Sequence, residues 1–168
     1  MGAYTEYLER QMGFEELSAE RKRQLVRISK LRGDRDVLVF AADLTKGAVP
    51  ISIGYADLLP ITDQLDNLSG RALDIILESP GGSGEVTEDI VRLVRARYDS
   101  VGVIVPGWAK SAATILAMAG DEILMSPASA LGPIDAQLSW QGPSCGTQTD
   151  LGDLRRQLEA QTKKAVVS

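Results

Sequence analysis

Apolar and polar positions alternate along this chain in two different periods, and the change of period marks its elements. The run DVLVFAADL, 36–44, is almost continuously apolar, which predicts a strand covered on both faces. ALDIILES, VGVIVPG and DEILMSP read the same way and predict three more strands. Between them the period lengthens. Leu58, Leu59, Ile61, Leu65 and Leu68 form a helical stripe closed by Gly70, with Pro60 in the first turn or at a bend. Val86, Ile90, Leu93 and Val94 form a second stripe, and SAATILAMAG predicts a third, short helix. The first thirty residues predict helix, broken near Gly13, with a second helix starting at Ser18 as N-cap and ending at Gly33. From residue 35 the order is β-α-β-α-β-α-β, which predicts an α/β fold: a mainly parallel sheet flanked by helices. After LSWQG the text turns polar in GPSCGTQTDLGDL and closes with LRRQLEAQTKKAVVS, a weakly amphipathic helical pattern.

Composition removes several chemistries. The 168 residues contain no histidine, so neither a Ser-His-Asp triad nor a Cys-His dyad can be completed within one chain, and the usual zinc ligands are missing. The single cysteine, Cys145, permits no internal disulfide and lies in a Gly/Ser/Thr/Gln loop without a base. A net charge of −5 and a pI near 4.8 argue against nucleic acid as partner. The basic stretch ERKRQLVRISKLR alternates with Leu25, Ile28 and Leu31 at helical spacing and reads as a solvated helix face. MGAYTEYLERQ has neither the apolar core of a secretory signal nor the Ser or Thr that myristoylation requires at its sixth position. No apolar run reaches the roughly 18 residues of a membrane span. These readings predict a cytoplasmic protein with no metal and no cofactor.

Three strand ends carry unusual text: SPGGSG, GWAKS and PASALGPID. In parallel sheets ligands bind at the carboxyl ends of strands, so all three could border one crevice. SPGGSG lacks both the lysine of a P-loop and the spacing of a dinucleotide fingerprint; its adjacent glycines leave backbone amides bare to a substrate. It could equally be a tight strand-to-helix connection. In WAKSAAT, Ser111 opens a helix and is followed by small residues. The amides of Ala112 and of the glycine turn, Gly82 first, could then serve an oxyanion. Serine is also a favoured helix cap, and the residues alone leave both roles for Ser111 open.

ILESPGGSGEVTEDIVRLVR followed by VGVIVPGWAKSAATILAMAGDEILMSPASALGPIDAQL resembles the serine dehydrogenase proteinase family, of the Clp protease and crotonase fold and related to signal peptide peptidase A. The resemblance covers residues 70–138. It implies a spiral of ββα units, a homo-oligomer, Ser111 as nucleophile, and Gly82 and Ala112 as the oxyanion amides. Where Clp-type relatives carry the catalytic histidine, ALGPIDAQL offers Asp135 and no histidine. Signal peptide peptidase A is similar in using a lysine downstream of its serine, which makes Lys163, 52 positions beyond Ser111, and Lys164 the candidate bases. A lysine base must fall from a pKa of about 10.4 towards 7, a burial cost of roughly 4–5 kcal/mol. So near the C-terminus it needs a partner subunit or further chain to cover it; the alternative is that both lysines are solvent-facing charges. Lys110, as immediate neighbour of the nucleophile, leaves the backbone in another direction. Asp135 is too acidic for a base and suits orienting a partner group, capping a turn or a subunit contact.

The expected arrangement is a helical segment over 1–34 and a protease domain over 35–168, C-terminally truncated or altered relative to the family. The expected function is a serine peptidase of Ser-Lys type acting on a peptide or protein substrate, with membrane association through partners. Two rivals stand beside it: a crotonase-like acyl-CoA enzyme using Glu85 and Asp135, and an inactive oligomeric scaffold of the same fold.

Overall fold

The four apolar runs are parallel neighbours in the computed structural model, which describes residues 5, 7, 9–10, 12–44, 51–134, 137–139 and 148–150. Strands β1 (Asp36–Ala41), β2 (Ala72–Glu78), β3 (Ser100–Val105) and β5 (Glu122–Met125) form one sheet in the order β1-β2-β3-β5. The register pairs Asp36 with Leu73, Ala72 with Ser100, and Gly102 with Glu122. Helices α1 (Phe14–Leu31), α2 (Leu58–Asp66), α3 (Gly84–Arg95) and α4 (Ala112–Met118) fill the intervals. Every crossover passes through a helix or long loop, as parallel pairing requires.

Each long strand is followed by a short step into a second parallel layer. Strand β4 (Trp108–Ala109) pairs with β6 (Ala130–Leu131), Ser79 bridges Ala109, and Ile53 bridges Gly82. Long strand, short strand, helix is the repeated unit, so the expected ββα build is present. The VGVIVPGW text thus divides into two strands, β3 and β4, at Pro106–Gly107.

The core lies between the sheet and one side of α2, α3 and α4. Leu73, Ile75 and Leu77 of β2 and Val101, Val103 and Val105 of β3 are buried with Ile61 and Leu65, with Val86, Ile90 and Val94, and with Ala113, Leu116 and Ala117. Each fully buried aliphatic side chain contributes about 1.5–3 kcal/mol. Strand β1 differs from expectation: it is a sheet edge, only Leu38 is buried, and Val39 stays 37% exposed. A continuous apolar run therefore marks the strand correctly but not its coverage. Helix α1 also differs, beginning at Phe14 with Gly13 at its N-cap, so Ser18 lies inside it. Glu15 and Glu16 in the first turn favour that earlier start.

The loop after α1 is fastened by a buried carboxylate. Asp74 of β2 is fully buried and takes Arg32 Nε and Arg35 Nε, each at 2.7 Å. Arg35 also donates to the carbonyls of Leu73 and Ser100, and Arg32 reaches Glu122 of β5. Gly102 makes room, because a Cβ there would overlap Asp74 Oδ1. These bonds tie the end of α1 to three strands, to β2 through Asp74, to β3 through Ser100 O and to β5 through Glu122. A second unit, Pro133–Ser168, is distinct from Met1–Gly132 and holds the antiparallel pair β7 (Gln137–Ser139) and β8 (Gln148–Asp150).

Asp74→Asn removes the charge facing two partly buried guanidiniums and is expected to cost about 3 kcal/mol in denaturant unfolding. Tyr98 is buried and donates to Asp36 Oδ2 at 3.0 Å. Burial, then that hydrogen bond, pushes its phenol from the ordinary 10.0 up to about 12. The folded state therefore favours the neutral phenol. Its contribution is complete below pH 10 and is lost as pH rises through 12. Tyr98→Phe should lower stability by about 1 kcal/mol at neutral pH and flatten the loss between pH 10 and 12, read from unfolding midpoints across that window.

Candidate active site

Two loops meet at the carboxyl ends of β2 and β3. Ser79, the first residue of SPGG, donates its amide to Trp108 O at 2.9 Å and accepts from Lys110 N at 3.1 Å. Its hydroxyl, buried, accepts from Gly81 N at 3.1 Å. One serine therefore sets the register between the glycine turn and the WAKS turn, and shapes the glycine turn as well. Ile53 holds the other side: its N donates to Gly81 O at 2.8 Å, and its O accepts from Ser83 N at 2.9 Å. Ser83 then caps α3, its hydroxyl accepting from Val86 N.

The glycines are there for space as well as conformation. Gly81 has φ +98, and a Cβ on it would lie 2.5 Å from Lys110 O, 2.7 Å from Ser111 Cβ and 3.1 Å from Ala112 N. Gly82 has φ +152, and a Cβ on it would overlap the backbone of Ile53. The SPGG turn is thus in direct backbone contact with the Ser111 turn. Because Ile53 uses the groups of Gly81 and Ser83, it leaves the Gly82 amide facing away from that bridge.

Ser111 sits between β4 and α4 with φ 50 and ψ −125. Among the described residues only Asp34 shares a positive φ without being glycine. A β-carbon in that region costs about 1–3 kcal/mol. Ser111 occupies the N-cap position, yet its side chain makes no capping hydrogen bond. The helix's first turn is satisfied otherwise: Ala113 N reaches Lys110 O and Thr114 N reaches Ser111 O, both at 2.9 Å. Neither the Gly82 amide nor the Ala112 amide donates to a backbone carbonyl among the described residues. Lys110 is half-buried, with Nζ 3.5 Å from Leu131 O.

Of the residues singled out from the sequence, Ser111, Gly82 and Ala112 are brought to one place. Asp135, Cys145, Lys163 and Lys164 lie outside the described residues. Glu85 is engaged with Tyr55, whose phenol its carboxylate pushes upward. Ser79, Ile53 and Thr114 were missed. Ser79 stood inside the quoted SPGG text, but nothing local announced that its hydroxyl would bind the turn. Among the described residues no group of three or more Cys, Asp or Glu could hold a metal, and no helix is long and apolar enough to cross a membrane.

The fold is that of the ClpP-like proteases. The membrane-bound stomatin-specific protease 1510-N, as a serine-to-alanine mutant, superposes with a TM-score of 0.50 at 18% identity, covering 75% of this chain and 60% of that one. The ClpP catalytic domain of Plasmodium falciparum gives 0.43 at 18% identity, covering 63% and 60%. The chain belongs to the ClpP-like SDH-type serine proteinase family, whose profile matches residues 7–147. Two uncharacterized proteins of Methanocaldococcus jannaschii are similar over shorter stretches. One is 37% identical over 68 residues, 40% of this chain and 24% of that protein; the other is 33% identical over 66 residues, 39% and 23%. The match therefore spans about a quarter of the length of these relatives.

Gly82→Ala should destabilise the fold by at least about 2 kcal/mol, through overlap with Ile53 and the positive φ. Gly84, first in α3 with open space around its Cα, is the contrast. Gly84→Ala should be neutral or stabilising by up to about 1 kcal/mol. Thermal unfolding of the two variants side by side checks both.

Proposed function

We propose that this chain is a serine peptidase whose Ser111 attacks the scissile carbonyl of a peptide or protein substrate. The observation that carries the reading is the backbone of Ser111, at φ 50 and ψ −125 with its hydroxyl uncommitted to the cap. A serine serving only as N-cap would take the relaxed extended conformation and bond the N2 or N3 amide. A serine on a strained strand-to-helix turn presents its hydroxyl as nucleophile elbows do.

The sequence of events follows from the neighbours. Ser111 Oγ adds to the carbonyl carbon as its proton leaves to a base, and the carbonyl oxygen becomes an anion. The amides of Gly82 and Ala112 donate to that oxygen, each worth about 3–4 kcal/mol in the transition state. Collapse expels the amine, which takes the proton, and leaves an acyl-enzyme that water hydrolyses by the same route. With no histidine in the chain, the base is assigned to Lys163, with Asp135 orienting its surroundings. Lysine acts this way only when desolvated, which is consistent with assembly into a homo-oligomer. In this reading residues 35–168 form the protease domain and 1–34 a helical segment. The protein is cytoplasmic and reaches membranes through partners.

Intact mass after treatment with a fluorophosphonate probe tests the nucleophile. One adduct on the wild type that vanishes in Ser111→Ala is the expected result; a folded wild type that takes no adduct overturns the reading. Lys163→Ala should slow labelling by about 100-fold or more, with Lys164→Ala as its control.

A further inference from the structure

Thr114 carries a buried hydroxyl with two partners, and neither partner is the one a helical threonine normally takes. It is the third residue of α4 and 4% exposed. A threonine inside a helix ordinarily bonds back to the carbonyl three or four residues earlier. Thr62 and Thr87 of this chain do so, donating to Leu58 O and Ser83 O, each at 2.8 Å. Thr114 Oγ1 instead donates to Ala109 O at 2.6 Å, beyond the turn, in β4. The same oxygen accepts from Gly132 N at 2.8 Å, directly after β6.

The first bond closes residues 109–114 into a loop with Ser111 at its apex. A non-glycine residue holds a positive φ only where its surroundings fix the backbone on both sides. The hydroxyl of Thr114 does this across the strained residue, fastening the strand before it to the helix after it. The second bond ties that loop to the next short strand. It adds to the β4–β6 ladder, where Ala109 pairs with Leu131, and lies beside the contact of Lys110 Nζ with Leu131 O. Gly132 turns there with φ +70.

We propose that the Thr114 hydroxyl is a positioning group for the nucleophile: it holds the Ser111 turn in its reactive conformation and in register with the strand that follows. The inference rests on the reading of Ser111 as nucleophile. Thr114 touches no substrate and acts through the Ala109 and Gly132 backbones.

The test is the rate of fluorophosphonate labelling of the full chain, resolved into a maximal rate and an apparent affinity for the probe. Thr114→Val keeps the volume and removes the hydroxyl. Its maximal rate should fall about 10- to 100-fold with the apparent affinity unchanged, as expected for misplacement of a reacting atom. Thr114→Ser keeps the hydroxyl and should recover most of the rate. Thr114→Ala makes the same comparison should the valine variant not fold, and all rates are taken below the thermal unfolding of each variant. Wild-type kinetics in the folded Val or Ala variant overturn the inference while leaving Ser111 as nucleophile. A serine variant as slow as the valine variant overturns it too, since the hydroxyl would not be what matters. A wild type that takes no adduct fails at the nucleophile itself and removes both readings together.

Discussion

The site depends on one steric fact: the glycine turn is packed so closely on both flanks that neither Gly81 nor Gly82 tolerates a β-carbon. Gly81 lies against the Lys110–Ala112 backbone on one side, and Gly82 against Ile53 on the other. This double contact is what brings the Ile53 segment, the glycine turn and the Ser111 turn together. It also explains why the bonds there are backbone bonds. At such separations amides and carbonyls are the groups within reach, and Ser79 and Ile53 supply them from both flanks. Gly81 and Gly82 take positive φ freely, whereas Ser111, which carries a β-carbon, holds it under local strain. Strain of that kind persists only on a rigid frame.

The frame is supplied by the sheet and by the charge buried beneath its far end. Asp74 in the second strand would be costly to bury alone, but two guanidiniums pair with it, and Arg35 donates its remaining bonds to the carbonyls of Leu73 and Ser100. Because those arginines follow α1, the cluster couples the N-terminal helix to strands β2, β3 and β5. Of these, β2 and β3 lead into Ser79 and Trp108 at their carboxyl ends. Charge fixation at one end and apolar packing of Val86, Ile90 and Leu116 in the middle leave the other end free to carry unrelaxed backbone.

Much of this was legible in the text of the chain, and what was not has a common physical cause. The strands and helices declared themselves by period: β2 and β3 bury most of their apolar residues, and α3 buries Val86, Ile90 and Val94 of its stripe with Leu93 half-buried. SPGG and AKSA stood out as glycine- and alanine-rich strand ends, but the residues alone left a tight connection and a helix cap equally open, and the family resemblance pointed to a site. What escaped were relations between residues far apart in sequence. Ile53 reads as one more apolar residue in a loop, and Thr114 as an indifferent member of a short helix. Ile53 acts through Gly82 and its neighbours, about 30 positions away, and Thr114 ties Ala109 to Gly132, the latter 18 positions away; no local period encodes those contacts. The edge position of β1 escaped for the same reason: an apolar run reports strand formation, whereas coverage depends on which neighbours arrive.

The composition of the Ser111 turn then follows from the same constraint that opened the site. Residue 112 must let Gly81 approach its amide, and residue 113 is completely buried against the core. Alanine satisfies both without a polar group to compete for the amides. Ala112 is itself buried in the core, so a larger side chain there would overpack its neighbours. Position 114 must be small enough to be buried and must still carry an oxygen that both donates and accepts. Serine and threonine meet that demand with a hydroxyl. Hence S-A-A-T is less a catalytic signature than a packing solution around a strained serine. It is specific because few residue sets satisfy the approach, the burial and the two-way hydrogen bond together.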